Sequence, residues 1–284
     1  MNNLDPSENR EKTIIRYLKF IAILSTLMLI GAVFFIVSIP TFDEYEYASD
    51  DTDEYEEAGV CNVAGIVIDG SIDTVSFEDD EYYSILSSDV VFDIQEINRQ
   101  DDIEAIVIEF NSEGGYLVAS EEIMKAVQVS EIPVIAHIRS GALSGAYLVA
   151  SATDIIFASR LSDIGSIAVT QSYLDESLKN KTDGLTYNAL TTGEFKDMLS
   201  LGKILTSSER FLLERDLKIA HDIIVSYIAE NRGLAVEEVA KMADGSSMMG
   251  DMALEKGLID KIGGYKEIED YLREELGIEP EICF

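Results

Sequence analysis

The sequence predicts an α/β fold on a mainly parallel sheet, tethered by one N-terminal transmembrane helix. Three observations carry this reading. Beyond Val60, short apolar runs alternate with stretches of helical periodicity. Those runs lack the in–out alternation of a half-exposed strand. Phe20–Ile39, FIAILSTLMLIGAVFFIVSI, holds no charged residue. Strands that alternate with helices pair in parallel through crossovers, and strands apolar on both sides need cover on both faces.

The uncharged run comes first. Twenty helical residues at about 1.5 Å each span about 30 Å, the thickness of a bilayer core. The apolar region of a cleaved signal peptide is shorter, about 7–15 residues, and leads to a small-residue cleavage site. Here the exit reads IPTFDEYEYASDD, so an uncleaved anchor is expected. Arg10, Lys12, Arg16 and Lys19 precede the span and a run of Asp and Glu follows it. The basic flank stays cytoplasmic and the rest lies outside the cell membrane. The expected order is a cytoplasmic tail 1–19, the anchor 20–39, an acidic self-repelling linker 40–59, a folded domain 60–275 and a C-terminal tail 276–284.

Within the folded domain, VAGIVI (Val63–Ile68) reads as a strand and Tyr82–Arg99 as an amphipathic helix. AIVIEF (Ala105–Phe110) is a second strand, followed by the turn NSEGG and a helix from about Leu117 to Val129. PVIAHI (Pro133–Ile138) is a third, followed by SGALSG and another helix. DIIFA (Asp154–Ala158), SIAV (Ser166–Val169) and TYNAL (Thr186–Leu190) read as short strands. The remainder is mostly helical: Ser207–Asn231, closed by Arg232-Gly233, then Val236–Met242. Apolar spacing gives these late helices a packing or assembly role.

Composition narrows the partners. A formal net charge of −33 over 284 residues repels nucleic acid. Cys61 and Cys283 are the two cysteines, too few for a disulfide framework or a zinc site. They can form one long-range bridge, but unpaired thiols are the expectation.

In parallel sheets, ligands bind beyond the carboxyl ends of the strands, where both NSEGG and SGALSG lie. Ser144 sits in a tight strand-to-helix turn among Gly141, Ala142, Gly145 and Ala146. That setting suits a nucleophile, and it equally suits a helix N-cap. The two histidines give poor support to a Ser-His-Asp triad. His137 falls inside a buried strand, as a satisfied structural residue would, and His221 falls mid-helix. A desolvated lysine can replace histidine as base, because burial disfavours the ammonium. Lys196 in TTGEFKDM is the candidate, although a loop lysine alone is ordinarily a solvated one. The tandem glycines of NSEGGY can aim backbone N–H groups at an oxyanion, or simply make a turn.

Taken together these motifs resemble the SppA-type signal peptide peptidases, membrane-bound serine proteases with a serine–lysine dyad. The similarity runs from about Val60 to Tyr271. Asn111-Ser112-Glu113-Gly114-Gly115 resembles the family's N-S-P-G-G turn, and Ser144-Gly145-Ala146-Tyr147-Leu148 its nucleophile motif. Ile164 to Val169 is similar to its T-G-S-I/L-G-V segment, and Gly193-Glu194-Phe195-Lys196-Asp197 to its G-x-x-K-D motif. Gly250–Gly263, GDMALEKGLIDKIG, resembles a late glycine-rich pattern. Ser144 and Lys196 lie 52 positions apart, as in short members. Glu113 stands at a family proline, and Ala146 and Ala168 at family glycines.

The resemblance implies a ClpP/crotonase-like fold of stacked ββα units, often assembled into homo-oligomeric rings. It implies Ser144 as nucleophile, Lys196 as general base and Ser166 as the residue orienting the lysine. Backbone N–H groups of Gly115 and Gly145 would form the oxyanion hole. No cofactor or metal is required. The implied substrates are signal-peptide remnants and other hydrophobic peptides at the membrane. Three alternatives remain on the same fold: a ClpP-like triad peptidase, a crotonase-like acyl-CoA enzyme and a non-catalytic scaffold.

Overall fold

A computed structural model describes residues 61–75 and 84–284. The expected tail, anchor and linker (1–59) lie outside the described residues, as do Tyr82 and Tyr83 of the first expected helix. Among the described residues no helix is long and apolar enough to cross a membrane.

The sheet is built around three long strands: β1 (Val63–Asp73), β3 (Ala105–Gly115) and β4 (Val134–Leu143). With the short strands β2 (Ser84–Leu86), β5 (Ile155–Ala158) and β8 (Lys261–Ile262) they form the order β2-β1-β3-β4-β5-β8. Strand β6 (Asp163–Gly165) pairs with the end of β4, and β7 (Ser247–Met249) pairs antiparallel with β6. The other pairings are parallel.

Both faces of the sheet are covered at its centre, which is why Ala105–Ile108 of β3 and Val134–Ala136 of β4 are unbroken apolar runs. From β3, Ile106, Ile108 and Phe110 enter a core shared with α1 (Ser87–Ile97), α2 (Leu117–Gln128) and α3 (Gly145–Ala150). The intervening Ala105 and Val107 enter a second core with Ile268 and Leu272, from α8 (Tyr265–Tyr271) and the π turn Leu272–Leu276 that continues it. Strand β4 divides the same way, with Val134, Ala136 and Ile138 on one side and Ile135 on the other.

Two expected strands are corrected. Thr186–Leu190 is not a strand, and Leu190 is fully exposed at 101%. Apolar alternation makes a strand only where a neighbour offers a ladder, and no described strand runs beside it. Ser166–Val169 is also irregular. The strand is the preceding Asp163–Gly165, and it stops because Ser166 takes φ 49°, outside the extended region. The first expected helix is confined to Ser87–Ile97, behind β2. In the opposite sense, β1, β3 and β4 run past their apolar segments, since backbone pairing continues with polar residues at the open end of the sheet.

The C-terminal residues 276–284, set off as a tail in the sequence, return to the sheet. Strand β9 (Ile282–Cys283) pairs with Val63 and Ala64 of β1. This pairing overturns the expectation of free thiols: Cys61 and Cys283 form a disulfide, their Cα atoms 5.9 Å apart across 222 residues of sequence.

Helix α5 (Ser207–Arg232) starts at a capping box between Thr206 and Glu209 and ends at Gly233 with φ 62°, as its sequence signals require. Its buried apolar residues, Ile224, Val225, Ile228 and Ala229, all fall in the second half. The first half continues the exposed segment 170–206, which carries the short helix α4 (Ser177–Thr182) with no buried residue. Leu174, Leu178, Ile204 and Phe211 are all exposed there. Helices α6 (Val236–Met242) and α7 (Gly250–Glu255) complete the chain.

Candidate active site

Strand β4 delivers Ser144 to the open end of the sheet, and the backbone there is strained. Ser144 has φ 51° and ψ −120° at the start of α3, and its side chain makes no capping hydrogen bond. An N-cap serine has an extended backbone and accepts from the first turn of its helix; Ser144 does neither. A positive φ at a non-glycine residue costs about 1–3 kcal/mol and persists only where its surroundings impose it. Here the constraint is visible: the Ser144 N–H donates to the Gly165 carbonyl at 2.7 Å, tying the turn to β6.

The glycine turn of β3 lies directly against this serine. Gly114 has φ 95°, and a Cβ built on it would stand 2.7 Å from the Gly145 nitrogen and 3.0 Å from Ser144 Cβ. A Cβ on Gly145 would collide with Ser120 Oγ and lie 3.5 Å from the Gly115 nitrogen. Glycine is thus required on both sides of the contact, where the backbone of Gly114 packs against that of Gly145. Ser112 fixes the turn from below: its Oγ donates to the Gly70 carbonyl at 2.6 Å and accepts the Gly114 N–H at 3.1 Å. The glycine turn thus brings backbone amides close to a strained serine.

Ser166 belongs to the same neighbourhood. It follows Gly165, whose carbonyl holds Ser144, and its own N–H donates to Ser246 O at 3.0 Å. Its Oγ donates to Gly245 O at 3.2 Å. Lys196 stands apart. It is exposed, its backbone N–H donates to Gly193 O at 3.2 Å, and among the described residues its side chain has no hydrogen bond to Ser144 or Ser166. The chain therefore gathers Ser144, Gly115, Gly145 and Ser166 and leaves Lys196 on the projecting segment 170–206.

That segment is internally tied. Glu176 N–H donates to Leu201 O at 2.8 Å, and Tyr187 Oη donates to Asp197 Oδ1 at 2.6 Å. Lys203 Nζ sits 2.5 Å from Glu209 Oε1 and 3.8 Å from Asp197 Oδ2. The hydrogen bond to Glu209 pushes the Lys203 pKa up, so this amine stays charged and is a poor base. Lys179 is bound to Glu176 at 3.1 Å. Lys196 has no such carboxylate partner among the described residues.

The histidines lie elsewhere. His221 Nε2 is 2.8 Å from the Ala243 carbonyl. His137 is buried as expected but is not satisfied: Nδ1 has no hydrogen-bond partner and stands 3.6 Å from Glu109 Oε2. Burial lowers the His137 pKa, against the attraction of Glu109. Burial of Glu109 opposes its ionisation, but hydrogen bonds from Tyr265 (2.5 Å) and Arg139 (3.1 Å) outweigh it and lower its pKa. The grouping of His137 with Glu109, Arg139 and Tyr265 went unread in the sequence, as did Ser120. Only Glu109 offered a signal, as a lone carboxylate in an otherwise apolar strand.

Residues 126–279, more than half of the chain, match Peptidase family S49, and the chain belongs to that family. The resemblance to signal peptide peptidases agrees with this. A protein named signal peptide peptidase SppA in Enterococcus faecium is 29% identical over 235 residues, covering 79% of this chain and 67% of that protein. A protein named as a protease in Methanocaldococcus jannaschii is 28% identical over 172 residues, covering 60% of this chain and 55% of that one. The chain thus spans between 55% and 67% of the length of these relatives. Among solved structures, a mutant of the 1510-N membrane-bound stomatin-specific protease superposes with a TM-score of 0.50 at 18% identity, covering 74% of this chain and 84% of that one. That likeness concerns the fold, a mixed α/β architecture with a mostly parallel sheet.

Proposed function

We propose that this chain is a membrane-anchored serine endopeptidase of ClpP/crotonase-like fold that works through a Ser144–Lys196 dyad. Its substrates are signal-peptide remnants and other hydrophobic peptides at the outer face of the cell membrane. The uncharged run Phe20–Ile39 is its single-pass anchor, with the N-terminus cytoplasmic, and residues 40–59 are the leash to the domain that begins near residue 60. The carrying observation is Ser144 itself, held at φ 51° with its side chain unused as a cap and the glycine amides beside it.

Neutral Lys196 takes the Ser144 proton as the oxygen attacks a peptide carbonyl. The carbonyl oxygen gains the negative charge and is held by the N–H groups of Gly115 and Gly145. Collapse breaks the C–N bond, the lysine gives its proton to the leaving amine, and an ester to Ser144 remains. Water, deprotonated by the same lysine, hydrolyses that ester. Ser166 orients the amine.

A lysine exposed to water is charged and cannot act this way. Neutrality requires burial, and a second copy of the chain is the natural cover. Exposed apolar side chains on the same segment, among them Leu178, Leu190 and Phe195, support a homo-oligomeric ring in which neighbours bury that surface. The test is hydrolysis of hydrophobic peptides by the full-length protein in detergent. Ser144→Ala and Lys196→Ala should each abolish turnover without changing the oligomer. Turnover at the parent rate in either variant would refute the dyad.

A further inference from the structure

Glu113 is an exposed carboxylate one residue before the two glycines that flank Ser144. Its backbone has no freedom to swing away. Ser112 is pinned to Gly70, and Gly114 is wedged against Ser144 and Gly145. Strands β1, β3, β4, β6 and β7, which build this end of the sheet, contain one Lys or Arg between them, Arg139. Its guanidinium is bound to Glu109 at 3.1 Å. Among the described residues Glu113 has no ion pair.

Along an extended chain each residue advances about 3.3 Å, so Glu113 stands one to two substrate residues from the carbonyl that Gly115 would hold. We propose that Glu113 is a specificity-determining residue that selects peptides carrying lysine or arginine within two residues of the scissile bond. This inference rests on the peptidase reading above. The substrate class becomes hydrophobic peptides with a cation beside the cut, and Glu113 supplies an exposed negative charge beside the glycine turn. A bound peptide displaces water from the carboxylate, so a cation there gains a partly shielded ion pair, worth about tenfold in kcat/KM.

The experiment uses the full-length protein in detergent. A set of hydrophobic peptides differs at one position at a time, within two residues on either side of the cut, in having Lys, Gln or Glu. The parent protein should favour Lys over Glu by about tenfold or more at one or more positions. Glu113→Gln should lose most of that ratio, and Glu113→Lys should invert it. Glu131→Gln removes an exposed carboxylate at the opposite end of β4. It should keep the parent ratio, which separates a local effect from the field of a chain with net charge −33. An unchanged ratio in Glu113→Gln, or equal cleavage of Lys and Glu peptides by the parent, would overturn the inference and leave the peptidase reading standing. No cleavage of any peptide, together with no reaction of Ser144 with a fluorophosphonate, would overturn both.

Discussion

The backbone N–H of Ser144 donates to the carbonyl of Gly165 at 2.7 Å. This bond joins the end of β4 to the end of β6 and holds a serine in a conformation that serine avoids. A strained residue is retained where its surroundings over-determine it, and here they place its side chain clear of the helix it precedes.

Ser144→Gly should therefore separate stability from activity. Glycine accepts φ 51° without penalty, so the variant should gain about 1 kcal/mol against denaturant while losing peptide hydrolysis. Chemical unfolding beside a cleavage assay checks both. A destabilised variant would mean that the serine side chain holds the turn together.

Gly145→Ala should be costly for the reason that its missing Cβ shows. The added methyl meets Ser120 Oγ and crowds the glycine turn of β3, at about 1–3 kcal/mol, with activity lost as well. Ser120→Gly in the same chain should recover part of the stability, and a double-mutant cycle measures the coupling. Additive effects would place the collision elsewhere.

Reduction of Cys61–Cys283 should destabilise the domain. The bridge closes a loop of 222 residues, and chain-entropy bookkeeping sets an upper value of about 5 kcal/mol. It also anchors β9 against β1. Cys283→Ser should lower the unfolding free energy by a comparable amount, and an unchanged value would contradict the pairing.

The pH dependence of stability should carry the signature of His137. Burial places its folded pKa below the ordinary 6.5, so the unfolded chain binds the proton more tightly. Stability is then full above pH 6.5 and falls as the pH drops from there towards the folded value. Glu109 on β3, Arg139 on β4 and Tyr265 on α8 face this group. Glu109, also shifted down, adds its own loss only below its ordinary 4.5. His137→Phe should flatten the curve in the interval just below pH 6.5 in unfolding measurements. A curve as steep as the parent's in that interval would assign the dependence to another group.

The parts of the fold that were legible in the sequence are those where local pattern and burial agree. Ala105–Phe110 and Pro133–Ile138 are apolar because two cores claim alternate residues, and Ser207–Asn231 carries its own start and stop signals. Long-range partners left no such mark. The bridge depends on a two-residue strand that brings Cys283 back to β1, and nothing near Cys283 announces it. Thr186–Leu190 misled because apolar residues on a projecting segment look like those of a strand when no neighbour is in view. At the site, small residues around Ser144 and the tandem glycines signalled a close approach of backbones. The strain at Ser144 and the solvent around Lys196 are tertiary facts, and no spacing encodes them.

Fluorophosphonate labelling of the full-length protein in detergent, with the modified residue identified by peptide mass, tests the serine–lysine account most directly. The account predicts a single labelled residue, Ser144, with a rate that rises as the pH is raised and falls at least about 100-fold in Lys196→Ala. A label on a different serine, or an undiminished rate at Ser144 in Lys196→Ala, would contradict it.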